Sequence, residues 1–166
     1  MTLALLIGGA RSGKSRLALE RAEREGAPVW FIATGEALDA EMTDRIERHR
    51  AERPAGWTTV EEPVALERAL AGVPDGTTAV VDCLSLWVAN VFESRAVEEL
   101  SAAAARVAAA RPGLTIAVTN EVGLGIVPDN ALARAYRDAL GRVNAQWAAA
   151  AGEAHLVVAG RTLALR

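Results

Sequence analysis

Residues 8–15 read Gly8-Gly9-Ala10-Arg11-Ser12-Gly13-Lys14-Ser15 and fit the pattern G-x-x-x-x-G-K-[ST]. The preceding Leu3–Ile7 is short and wholly apolar, as expected of a parallel strand buried on both faces. The following Lys14–Glu25 sets Leu17, Ala18 and Ala22 on one side and charge on the other, the pattern of a helix. Strand, glycine loop and helix in this order account for every position of the motif. Glycines let the backbone curl until its N–H groups converge on phosphate oxygens, and the helix N-terminus adds partial positive charge. Lys14 sets a compact ammonium on the β- and γ-phosphates, and Ser15 supplies a hydroxyl for Mg²⁺.

The composition makes Lys14 stand out. The chain holds 17 arginines and one lysine, beside 36 alanines. Arginine's planar fork cannot replace a point charge inside a tight loop. Half of the 166 residues are apolar but only 4% are aromatic, so one core of Ala, Val and Leu is expected over a single domain, residues 1–166. That apolar content excludes collagen-like, low-complexity and disordered classes. A net charge of −3 argues against a nucleic-acid binder, which shows a basic face. The lone Cys83 allows no internal disulfide, and no Cys/His cluster has zinc spacing. No apolar run approaches the roughly 20 residues of a membrane span. No basic region precedes the first apolar run, so a soluble, cytoplasmic protein is the expectation.

Strands and helices alternate along the rest of the chain. Strands are expected at Val29–Ala33, Thr58–Val60, Ala79–Val81, Leu114–Thr119 and Leu156–Ala159, with Thr162–Leu165 able to pair with the last as a hairpin. Helices are expected from a cap at Asp39 to about Arg53, then over Val64–Ala71, Leu84–Phe92, Ala96–Ala110 and Asn130–Ala151. In the last, Leu132, Tyr136, Leu140, Val143 and Trp147 step along one face. Trp30, Trp57, Trp87 and Trp147 read as core or interface. The alternation predicts an open α/β fold, a mostly parallel sheet covered by helices on both faces. Residues 35–71 carry more charge and weaker strand signals, as an insertion beside an active site would.

Two further positions carry chemistry. Val80-Val81-Asp82 reads as an apolar strand ending in a carboxylate that reaches Mg²⁺ directly or through water, or that contacts nucleotide. His49 stands on a helix among Arg45, Arg48, Arg50 and Arg53. From the residues alone it is either a solvated histidine or a nucleophile whose arginine neighbours hold an α-phosphate. His155 has no motif around it and reads as structural.

Over essentially its whole length the chain resembles the bifunctional adenosylcobinamide kinase / adenosylcobinamide-phosphate guanylyltransferases of cobalamin biosynthesis. The matching stretches include GGARSGKS at 8–15, FIATGEALDAEM at 31–42, RIERHRAERP at 45–54, VDCLSLWVAN at 81–90 and TNEVGLGIVPDNALAR at 119–134. The resemblance implies a RecA-like P-loop fold and two reactions. ATP or GTP phosphorylates the aminopropanol hydroxyl of adenosylcobinamide, and GTP then passes GMP to that phosphate through a guanylylated histidine, which falls on His49. It implies that Ala33, Thr34, Gly35, Arg50, Ala51, Glu52, Arg53, Glu61 and Asp82 join residues 8–15 around GTP. Glu61 would read a guanine edge or the ribose, and Glu121 would orient a nucleophile or bind corrinoid amides. A homo-oligomer, a trimer, is implied as well. The competing readings are another small-molecule P-loop kinase, in which His49 is dispensable, and a RecA-like ATPase module.

Overall fold

The structure, a computed structural model, describes residues 3–37, 40–51, 53–94 and 96–165, without the side chains of residues 41 and 45. The expected cap Asp39, the candidate Glu52 and the Arg45 side chain therefore lie outside the described residues. In chain order the elements are β1 (Leu3–Gly8), α1 (Lys14–Glu25), β2 (Val29–Ala33), α2 (Ala40–Ala51), β3 (Thr58–Glu61), α3 (Leu66–Ala71) and β4 (Thr78–Asp82). Then follow α4 (Leu84–Val91), a 3-10 turn over Phe92–Ser94, α5 (Val97–Ala110), β5 (Thr115–Asn120), α6 (Ala131–Ala150), β6 (Glu153–Val158) and β7 (Arg161–Leu165).

The strands form one seven-stranded sheet in the order β3-β2-β4-β5-β1-β6-β7. Every pairing is parallel except β6 with β7. Alternation along the strands sends side chains to two cores. Leu3, Leu5, Ile32, Val81 and Ala117 pack on one face with α3, α4, α5 and α6. Leu6, Phe31, Val80, Ile116 and Val118 pack on the other with Ala18 and Ala22 of α1. The covered parallel sheet expected from the sequence is thus present.

Two expectations are corrected. The sixth strand runs over Glu153–Val158 rather than 156–159, because Ala159 and Gly160 both take positive φ (51° and 73°) as the turn of the hairpin. Two successive residues of positive φ give the mirror-image turn that matches strand twist. Secondly, the apolar stripe of α6 is buried at Leu140, Val143 and Trp147, but Leu132 is 69% exposed. The first turn of α6 stands beyond the core, capped by Asn130, whose side chain accepts from the Ala133 N–H. Trp87 and Trp147 are fully buried, whereas Trp30 and Trp57 are half-buried at the core margin.

Candidate functional site

The phosphate loop springs from β1, between β5 and β6. Its turn depends on Gly13, which takes φ 95° at the N-terminus of α1. Gly8 is required for a different reason: a Cβ there would stand 2.4 Å from the Val157 carbonyl oxygen of β6. The hairpin tip closes over the loop, and the Gly160 N–H donates to the Ser12 carbonyl at 2.7 Å. Lys14 is buried, and its ammonium donates to the Gly9 carbonyl at 2.9 Å, so it already points along the curled backbone. Gly9, Ala10 and Arg11 form the exposed crest, with Arg11 at φ 56°.

Ser15 faces the end of β4, its hydroxyl 3.4 Å from Asp82 Oδ1. The other oxygen of the same carboxylate, Oδ2, lies 3.7 Å from His49 Nδ1 on α2. Asp82 therefore stands between the phosphate loop and the histidine. At that distance the contact is longer than a hydrogen bond, and it is an ion pair only when the imidazole is protonated. Ser15 and Asp82 offer two hard oxygens of the kind Mg²⁺ takes when phosphate and water complete its shell. Among the described residues no group of three or more His, Cys, Asp or Glu could hold a metal unaided.

Beyond Asp82 opens a cleft of about 590 Å³, with Ala33, Gly35, His49, Arg50, Arg53 and Glu61 in its wall. The structure thus brings together the candidates drawn from β2, α2, β3 and β4. Arg50 pairs with Glu61 across the cleft, both half-exposed. The Arg53 guanidinium lies 3.9 Å from the centre of the Phe31 ring and donates to the Thr59 hydroxyl at 3.3 Å. Burial draws its pKa below the ordinary value, opposed by Asp82 and reinforced by Arg50. Arg48, by contrast, is exposed and donates back to the Asp44 carbonyl on its own helix. Cys83 also lines the cleft, but burial first, then the Asp82 charge, raises its thiol pKa. A protonated, buried thiol is a poor nucleophile.

Glu121 starts the loop after β5 and accepts from the Gly123 N–H; its own N–H donates to the Gly8 carbonyl at 3.0 Å. It lies beside the phosphate loop and is absent from the cleft wall. His155 sits in β6, 3.1 Å from Glu153, which also pairs with Arg21. Sequence reasoning overlooked several cleft residues. Ile46 and Leu86 press on Gly35, where an added Cβ would meet them at 3.7 and 3.3 Å. The signal for Ile46 was its i, i+3, i+4 spacing with His49 and Arg50, which gives α2 one face toward the cleft, while Leu86 on α4 carried none.

The phosphate loop on a central strand and the carboxylate at the end of β4 define a P-loop nucleotide-binding protein of the RecA-like type. Solved structures agree at the level of fold. A KaiC-like protein from Pyrococcus horikoshii OT3 superposes with TM-score 0.53 at 16% identity, covering 93% of this chain and 70% of that one. The flagellar accessory protein FlaH from Methanocaldococcus jannaschii does so with TM-score 0.51 at 14% identity, covering 97% and 74%. Within that class the chain belongs to the cobinamide kinase / cobinamide phosphate guanyltransferase family, whose model matches residues 4–165. It is 41% identical to the bifunctional adenosylcobalamin biosynthesis protein CobP of Pseudomonas aeruginosa, over 98% of this chain and 96% of that one. It is likewise 41% identical to the bifunctional adenosylcobalamin biosynthesis protein CobU of Escherichia coli K12, over 94% and 95%. Among the described residues no helix is long and apolar enough to cross a membrane.

Proposed function

We propose that the chain carries out both reactions of its family, phosphorylating adenosylcobinamide and then guanylylating the phosphate, with Asp82 serving both. The observation that carries this reading is the position of the Asp82 carboxylate, 3.4 Å from Ser15 and 3.7 Å from His49. In the first reaction residues 8–15 hold the triphosphate of ATP or GTP, and Lys14 neutralises charge on the transferred group. The aminopropanol oxygen attacks the γ-phosphorus and loses its proton, and the nucleoside diphosphate departs. Ser15 and Asp82 would hold Mg²⁺, which supplies charge neutralisation at the phosphates when bound.

In the second reaction His49 attacks the α-phosphorus of GTP and pyrophosphate leaves. The Asp82 carboxylate facing Nδ1 favours the proton on that nitrogen, leaving the Nε2 lone pair as nucleophile. The substrate phosphate then takes GMP from the histidine. Arg50 and Arg53, on the same side of the cleft, suit an α-phosphate, and Glu61 together with Ala33 and Gly35 suits the nucleoside, whereas Thr34 is fully buried behind them with its hydroxyl on the Cys83 backbone. Ala51 joins them as part of the same helix end.

GTP labelled at its α-phosphate provides the test. The expected result is acid-labile label on the chain, lost in His49→Ala and dependent on Lys14. No label on the native chain would remove guanylyl transfer and leave a kinase alone. A homo-oligomer, a trimer, is what the family resemblance implies, and the exposed apolar run Leu124, Ile126 and Val127 with Leu132 is compatible with a subunit contact. Light scattering that returns a monomer mass would overturn it. Chemistry in the cytoplasm suits enzymes that draw on nucleoside triphosphates.

A further inference from the structure

We infer that Asn90, which lies outside the lining of the cleft beyond Asp82, is a positioning residue that locks together the two loops of the nucleoside wall and thereby sets base selectivity. The inference rests on the reading that the cleft beyond Asp82 takes the nucleoside of GTP. That wall comes from two separate segments, the loop after β2 with Gly35, next to the buried Thr34, and the end of β3 with Glu61. Their strands pair edge to edge, but the chain leaves the sheet beyond Ala33 and Glu61.

Asn90 bridges them from the last turn of α4. Its side-chain nitrogen donates to the Thr34 carbonyl at 2.7 Å and to the Pro63 carbonyl at 3.0 Å. One amide spends both its hydrogens, one on each loop. Both partners are carbonyls, which sets the amide's orientation, because a reversed side chain would turn its oxygen on two acceptors. Neighbouring contacts pin the same loops. One turn earlier on α4, the Trp87 indole N–H donates to the Val64 carbonyl at 2.8 Å. The fully buried Thr34 donates its hydroxyl to the Cys83 carbonyl at 2.7 Å and accepts from the Cys83 N–H at 2.9 Å. Thr34 is thus tied to the strand end that carries Asp82 through its side chain and to α4 through its backbone. Asn90 adds a side-chain link from that assembly to the segment leading back to Glu61, beside the Trp87–Val64 bond and the Glu62 N–H that donates to the Ala33 carbonyl at 2.9 Å. It stands behind the cleft wall rather than in it. The phosphate loop is anchored elsewhere, by β6 and the hairpin, and owes Asn90 nothing.

The test measures GTP, ATP and inorganic tripolyphosphate binding to the full chain in two variants. Asn90→Ala removes both donors. Asn90→Asp keeps the size and turns a carboxylate on the two carbonyls. Losing two hydrogen bonds that preorganise the wall should weaken GTP binding about tenfold and ATP binding less. Tripolyphosphate, which reports the phosphate loop alone, should bind as before. In guanylyl transfer KM for GTP should rise while kcat holds, the signature of lost binding rather than lost chemistry. A folded variant that keeps the native ratio of GTP to ATP affinity overturns the inference. So does an equal loss for tripolyphosphate, which would mark a general structural role. A native chain that takes no GMP label overturns the transferase reading instead, and leaves the affinity ratio readable.

Discussion

The two walls that meet at Asp82 are made differently. On the phosphate side the loop is inlaid between β1 and α1, with Lys14 at 8% exposure and no room for a Cβ at Gly8. On the histidine side no described side chain of α2 is buried, and the His49 side chain is 35% exposed. Backbone geometry builds the first wall, whereas polar side chains on an outer helix build the second. Phosphate groups are common to every nucleoside triphosphate, so a rigid cradle suits them. A histidine with the proposed task of accepting GMP and surrendering it to a corrinoid phosphate has to stay reachable.

Substitutions can break this contrast or sharpen it. The largest effect belongs to His49→Ala, expected to abolish the α-phosphate label while cobinamide phosphorylation, followed with ATP, stays close to native. Parallel loss of both activities would erase the division between the walls. Lys14→Ala should slow phosphorylation roughly 10²–10³-fold, the scale for removing one electrostatic stabiliser of a transition state; an unchanged rate would sink the phosphate-loop assignment. Gly8→Ala should cost about 1–3 kcal/mol of stability through the clash with the Val157 carbonyl, read as a lower midpoint in thermal melts. The smallest structural effect is expected at Glu61→Gln. Its pair with Arg50 is half-exposed on both sides, so stability should move by no more than about 0.5 kcal/mol, while KM for GTP rises. A melting point that falls as far as in Gly8→Ala would mean that the outer wall is structural after all.

The same contrast decides what could be read from residues alone. The phosphate wall was legible because backbone demands leave a mark in sequence: glycines where no Cβ fits, an apolar run for a buried strand, a lysine among arginines. The onset of α6 near Asn130 and the burial of Trp147 were legible for similar local reasons. On the other wall, the residues alone left His49 undecided, and only the family resemblance favoured the nucleophile. Its nearness to Asp82 joins residues from α2 and β4, and no local spacing encodes that distance. Asn90 was silent for the same reason, since an asparagine at the end of an apolar helix carries no mark of the two carbonyls it will meet. The start of β6 at Glu153 was missed because a charged residue opens it, although Arg21 pairs with that charge.

The place of β1 in the sheet has a consequence in time. The strand that carries the phosphate loop is made before both of its sheet neighbours, β5 and β6, with Leu3 against Thr115 and Ala4 against Glu153. Contacts so distant along the chain form slowly, because a long loop must close before any of them is made. A ribosome that has just released the glycine loop holds a segment with nothing to lean on. The phosphate loop is thus translated well before the strands that hold it in place.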